Sequence, residues 1–157
     1  MRSLLLAALT LAGALPEAGT LVPGESLGGL RLGATPARVS TAWGPTHGVC
    51  RSCRQTTWYF TYRPFEPQGA GVELRRGRVS ALFTLWQPAG WRTPEGLRLG
   101  DDTSRVTALY GPLPRVRCAG YDALTLRRGR TLTAFYVLRD ELWGFGLARA
   151  GVRPCRE

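Results

Sequence analysis

The sequence predicts an α+β fold of two tandem repeats, each a short helix followed by a three-stranded antiparallel meander, with both helices on one face of the sheet. Three observations carry this: an internal repeat, matched helix punctuation in both copies, and strand-like runs at matching places. Gly29-Leu-Arg-Leu-Gly33 recurs as Gly96-Leu-Arg-Leu-Gly100, Arg38-Val39 as Arg105-Val106, and Gly44-Pro45 as Gly111-Pro112, all at an offset of 67 residues. Self-similarity at a fixed spacing is the mark of a repeated supersecondary unit.

Beyond the cysteine-bearing loop the register continues at an offset of 63, aligning Trp58 with Tyr121, Val72 with Phe135 and Val79 with Leu142. Two units are expected, over 24–90 and 91–157. Each opens on a helix. Thr35 before Pro36, and Asp102 in the matching place, stand as N-cap and helix start, because a side-chain oxygen there satisfies an otherwise free N–H. The apolar residues Val39, Ala42 and Trp43, and then Val106, Leu109 and Tyr110, fall at i, i+3 and i+4 and predict one buried stripe per helix. Gly44-Pro45 and Gly111-Pro112 end the helices.

Strands are expected at 57–63, 70–75 and 79–86, turning at Arg76-Gly77, and at 121–127, 132–138 and 142–148, hinged at Arg139-Asp140. A two-residue turn sets Leu74 opposite Val79 and Val72 opposite Ala81. Phe83 and Leu85 then join them on one apolar face for the helix to cover.

Before the repeats, Met1-Arg2 and the apolar run Ser3 to Ala14, ending in Ala12-Gly13-Ala14, read as a secretory signal peptide over 1–14. The run is short of the roughly 20 apolar residues that span a bilayer. With the first cysteine at Cys50, no lipid anchor is expected. The mature chain is read as exported, periplasmic or secreted, and soluble after cleavage.

The chain has 157 residues and a formal net charge of +10, and all of its basic residues are Arg. Codon bias toward Arg, Ala, Gly and Pro accounts for part of this. The rest favours acidic partners, because the planar and weakly hydrated guanidinium suits carboxylate and phosphate. Nucleic acid is not expected as a partner of an exported chain.

Four cysteines in an oxidising compartment point to disulfides and allow three pairings. Pairing Cys118 with Cys155 ties the C-terminal tail to the second unit, leaving Cys50 and Cys53 to close locally. A redox or zinc role for Cys50-Arg-Ser-Cys53 is set aside, since a redox motif opens a helix after a strand and this one lies in a loop.

No catalytic constellation stands out. His47 is the single histidine, and there is no H-E-x-x-H, G-x-S-x-G or phosphate-cradling glycine pattern. No enzyme activity, catalytic residue, metal or cofactor is expected. The open sheet face is instead expected to carry Glu73, Arg75, Arg78, Ser80, Leu82, Thr84 and Trp86 from the first unit. The second adds Tyr136, Leu138, Glu141, Trp143, Phe145 and Leu147. Aromatic residues interleaved with Arg have the composition of interface hot spots, so Arg75, Arg78, Trp86, Tyr136, Trp143 and Phe145 are the candidate partner-binding residues.

The G-x-x-L-G-x(5)-V-x(4)-G-P pattern of each unit, with Trp58-Tyr-Phe-Thr-Tyr62 and V-E-L-R-R-G-R-V-S-A-L in the first, resembles the small outer-membrane assembly lipoprotein (SmpA/OmlA) type. Two such units in tandem resemble the fold of the β-lactamase inhibitor protein. The resemblance implies a scaffold or inhibitor that grips another protein, an enzyme or an envelope complex, with a concave sheet, and a disulfide in each unit. The place matching Cys155 in the first unit is Arg92, a departure from that pattern. The expected function is therefore a non-catalytic exported protein-binding module. Its alternative is an Arg-mediated binder of anionic envelope glycan or lipid headgroups.

Overall fold

The computed structural model describes residues 15–16, 18–60, 69–86 and 88–156, so the expected signal segment lies outside the described residues. A two-stranded ribbon, β1 (Leu21–Val22) and β2 (Ser26–Leu27), precedes helix α1 (Pro36–Trp43) and strands β3 (Gly48–Cys50), β4 (Thr56–Phe60), β5 (Gly69–Arg75) and β6 (Arg78–Leu85). Helix α2 (Thr103–Tyr110) follows, then β7 (Arg115–Arg117), β8 (Asp122–Arg128), β9 (Thr131–Leu138) and β10 (Glu141–Arg149). Strands β3 to β10 form one antiparallel sheet in the spatial order β3-β4-β5-β6-β10-β9-β8-β7.

This corrects the expected fold class. The molecule is a mostly-β domain built on a single eight-stranded sheet with two eight-residue helices, not two helix-plus-three-strand repeats. Edge strands β3 and β7 escaped the sequence reading because Gly48-Val49-Cys50 and Arg115-Val116-Arg117 are too short to show an alternating pattern. Local pattern also carries no information on the pairing of β6 with β10, which joins everything into one sheet.

The helices begin and end where their caps lie. Thr35 Oγ1 accepts from the Arg38 N–H at 3.2 Å, and Asp102 Oδ1 accepts from the Ser104 N–H at 2.8 Å. Gly44 (φ 94°) and Gly111 (φ 78°) close the C-termini in a left-handed conformation. Val39 and Trp43 bury the face of α1, while α2 is held by Val106 and by Tyr110 stacked on Phe135 at 4.9 Å. Leu109 departs from its expected stripe at 40% exposure. With Val106 and Tyr110 set in the core one turn apart, Leu109 is left at the rim.

The core on the helix face runs across both halves of the sheet, from Phe60 and Val72 to Phe135 and Leu147. Trp43 lies at its centre, edge-on to Phe60 at 5.4 Å and to Trp91 at 5.5 Å, and its indole N–H donates to the Gly28 carbonyl at 2.9 Å. Gly28 is required there. Its φ is +56°, and a Cβ would lie 2.2 Å from the Trp91 ring.

Two β-bulges redistribute the apolar residues. Between β5 and β6 the pairing steps from Glu73↔Ala81 to Leu74↔Val79, leaving Ser80 without an opposite residue. One unpaired residue reverses the alternation beyond it. Val79 and Leu82 thus join the helix-side core, whereas Phe83 and Leu85 face the other way. The expected single face of Val72, Leu74, Val79, Ala81, Phe83 and Leu85 is corrected accordingly. On β10 the register shifts between Leu142 and Gly144, and Leu142, Phe145 and Leu147 pack on the helix side while Trp143 packs on the opposite cluster.

Candidate functional site

The second sheet face is covered by the chain's own C-terminal segment. Phe83, Leu85, Ala123, Ala134 and Tyr136 form a buried cluster there, with Tyr59, Tyr121 and Trp143 at its margins. Residues after β10 cross this cluster. Cys155 is bonded to Cys118, the Tyr136 hydroxyl donates to the Pro154 carbonyl at 2.9 Å, and the Tyr121 hydroxyl donates to the Arg156 carbonyl at 2.7 Å. Arg156 is itself buried and ion-paired with Glu73 on β5. A charge pair removed from water holds only with its full set of partners, and Arg156 Nε also donates to the Pro154 carbonyl at 3.2 Å.

Where this segment meets the β3–β4 loop, a cleft of about 260 Å³ remains open. One wall is Cys53, Arg54 and Gln55, the other is Gly151 to Arg153 with Cys155, and the floor is Thr57, Tyr59, Glu73, Arg75 and Ser80. The short loop carrying the first wall is closed by the Cys50–Cys53 disulfide. Glu73, the single acidic residue among the described residues of the lining, is occupied by Arg156. Arg54, Arg75 and Arg153 have no acidic partner among the described residues. The cleft is therefore a basic recess with a tyrosine ring in its floor.

The candidate partner-binding residues do not gather into one surface. Arg75 lines the cleft. Arg78 is exposed at the start of β6, where its guanidinium donates to the Gly33 carbonyl at 3.4 Å, away from the cleft lining. Trp86 is 45% exposed and left-handed (φ 65°), with its N–H donating to the Trp143 carbonyl at 2.6 Å. Trp143 is half-buried against Tyr121 at 5.3 Å. Tyr136 and Phe145 are corrections, since both are buried. The terminal segment covers Tyr136, and the bulge at Trp143 turns Phe145 to the helix-side core, edge-on to Phe135 at 6.4 Å.

Sequence reasoning missed Arg54, Arg153, Arg156 and Glu73 as neighbours. The available signal was the cysteine framework. It brings Cys155 to Cys118, and the residues beside Cys53 and Cys155 turn out to be the two walls. The pairing is Cys50–Cys53 with an S–S distance of 2.06 Å and Cys118–Cys155 with 1.97 Å. His47 stacks on Trp58 at 3.8 Å, and among the described residues no three side chains gather as metal ligands.

Burial of Tyr136 pushes its phenol from 10.0 up to about 12. Folding holds this proton more tightly than the unfolded chain does. The associated stability is intact below the unfolded value and is lost as pH climbs from about 10 to 12. We expect unfolding titrations to show about 2 kcal/mol lost across that window by the native chain, and clearly less by Tyr136→Phe.

No protein-family model matches the sequence, and no curated protein matches it. Solved structures do resemble it. An extracellular protein containing an SCP domain from Bacillus anthracis matches with a TM-score of 0.54 and 10% identity over 75% of this chain and 44% of that one. A DUF4309 family protein from Bacillus subtilis matches with a TM-score of 0.53 and 14% identity over 74% of this chain and 78% of that one. A cysteine-rich secretory protein from Staphylococcus aureus matches with a TM-score of 0.54 and 11% identity over 88% of this chain and 51% of that one. The chain thus spans about half the length of the first and third. At these identities the likeness is one of fold alone. It corrects the resemblance to the SmpA/OmlA type unit and the β-lactamase inhibitor protein, since the quoted pattern marks only how a helix starts and stops.

Proposed function

We propose that this chain is an exported, non-catalytic module that binds an anionic glycan of the cell envelope through the basic cleft. The observation that carries the reading is the lining itself: among the described residues, three guanidiniums without an acidic partner surround a recess whose one carboxylate is already paired. Arg presents a planar fork to carboxylate or phosphate. A recess of about 260 Å³ takes a sugar unit or two and not the face of a folded protein.

A lipid surface fits less well. Membrane adhesion combines charge with apolar insertion, and among the described residues the large exposed hydrophobic ones, Val49, Trp86 and Leu109, all lie outside the cleft lining. Export is supported by the signal-like run at 1–14 and by two disulfides. Two of the structurally similar proteins are themselves described as extracellular or secretory.

Titration with polygalacturonate, a carboxylated polysaccharide, tests the reading. Arg75→Ala with Arg153→Ala should weaken binding by about ten-fold or more at low salt, since a hydrogen bond to a charged group contributes about 1.5–3 kcal/mol. Arg31→Ala, on a residue ion-paired with Glu25 outside the cleft, should leave binding unchanged. Equal loss in both variants would reduce the binding to general charge attraction and overturn the proposed site.

A further inference from the structure

The two disulfides hold very different positions with respect to the fold. Cys118–Cys155 closes 37 residues and anchors the segment that covers the second sheet face, whereas Cys50–Cys53 closes three. By linkage, a disulfide is stabilised by the fold as much as it stabilises the fold. The long-range bond is therefore protected by the folded state. The short one can open while the sheet stays intact.

The surroundings of Cys50–Cys53 also favour cleavage in one direction. The Cys53 N–H donates to Cys50 Sγ at 3.1 Å, and Ser52 Oγ lies 3.8 Å from the same sulfur. Arg51, inside the loop beside Cys50, and Arg54, just after Cys53, are both exposed. Backbone N–H donation and nearby positive charge stabilise a thiolate, so Cys50 is the better leaving group. Cys53 forms part of the cleft wall and so meets an incoming thiolate there.

We propose that Cys50–Cys53, although its loop lacks the strand-then-helix setting of an enzymatic redox motif and so gives it no dithiol-oxidase role, is an exchange-active disulfide that accepts two electrons from a dithiol and thereby loosens the anion cleft; this second step rests on the cleft reading above. One thiolate of the dithiol attacks Cys53 Sγ, forming a mixed disulfide, and the Cys50–Cys53 bond breaks with its electron pair passing to Cys50 Sγ. The second thiolate of the dithiol then attacks its partner sulfur, closes the reagent's own disulfide and releases Cys53 as a thiolate. The dithiol is oxidised by two electrons and the protein bond is reduced by two. The released thiolates take protons from water according to their pKa values. Once open, the loop bearing Arg54 is no longer cross-linked to the end of β3, and the first wall loses its fixed position.

Graded dithiothreitol on the native chain, with maleimide trapping, peptide mapping and circular dichroism, tests the first step. Cys50 and Cys53 should be labelled at a reductant concentration about ten-fold or more below that needed for Cys118 and Cys155, with far-ultraviolet dichroism unchanged. In the reduced protein, alkylation of Cys50 should set in at lower pH than that of Cys53. Simultaneous opening of both bonds, or opening only with unfolding, overturns the exchange site. For the second step, the reduced and alkylated protein and the Cys50→Ser, Cys53→Ser double variant should both bind polygalacturonate about five-fold or more weakly than the oxidised chain. Unchanged affinity after selective reduction removes the regulation and leaves the cleft standing. Failure of the oxidised chain to bind at all removes the cleft and the regulation together, while the labelling result still decides the exchange site.

Discussion

Replacing Trp43 with Ala should cost about 4 to 5 kcal/mol of unfolding free energy, measured by urea titration of the purified chain. The side chain is fully buried between Phe60 and Trp91, and no neighbour can collapse into its volume without moving the ribbon or the sheet. Truncation also leaves the Gly28 carbonyl without its donor, a loss of about 1–3 kcal/mol where water cannot reach. Trp43→Phe keeps much of the packing and drops the hydrogen bond, so it should cost about half as much. An alanine variant within about 1 kcal/mol of the parent would mean that the helix-side core is not centred on this ring.

Cys118→Ser should be nearly as severe. Closing a loop of 37 residues is worth roughly 4 kcal/mol in the chain-entropy model, and the same bond fixes the segment carrying Pro154 and Arg156 over Tyr136 and Glu73. The three-residue closure at Cys50–Cys53 is worth less than half of that, so Cys53→Ser should shift the unfolding midpoint much less. Comparable midpoints for the two variants would show that the terminal segment adheres to the sheet without its cross-link.

The helices, their four caps and the hairpin turns at Arg76-Gly77 and Arg139-Asp140 follow from local chemistry, which is why Thr35, Asp102, Gly44 and Gly111 stand where residue type alone puts them. The sheet's inner and outer faces were less legible. A bulge adds one residue to one strand with no change of composition, and the two at Ser80 and Trp143 reversed the facing of Phe83, Leu85 and Phe145. The cleft was legible least of all. Arg54, Arg75 and Arg153 are brought together by a loop, a strand end and a terminal segment, and their sequence separations carry no period. Arg is also frequent throughout this chain, so no single one stands out by type.

Strand β10 follows the other nine described strands in the sequence, yet it lies in the middle of the sheet, paired with β6 on one side and β9 on the other. A nascent chain that has made β3 to β6 therefore carries an open, apolar strand edge at β6 until some 60 further residues have followed. Unpaired edges of this kind recruit other chains. Completion of the sheet is a non-local event that waits for β10, so premature folding of β3 to β6 yields a species prone to self-association. A chain of this topology gains from being kept extended during synthesis and from folding once β10 has been made.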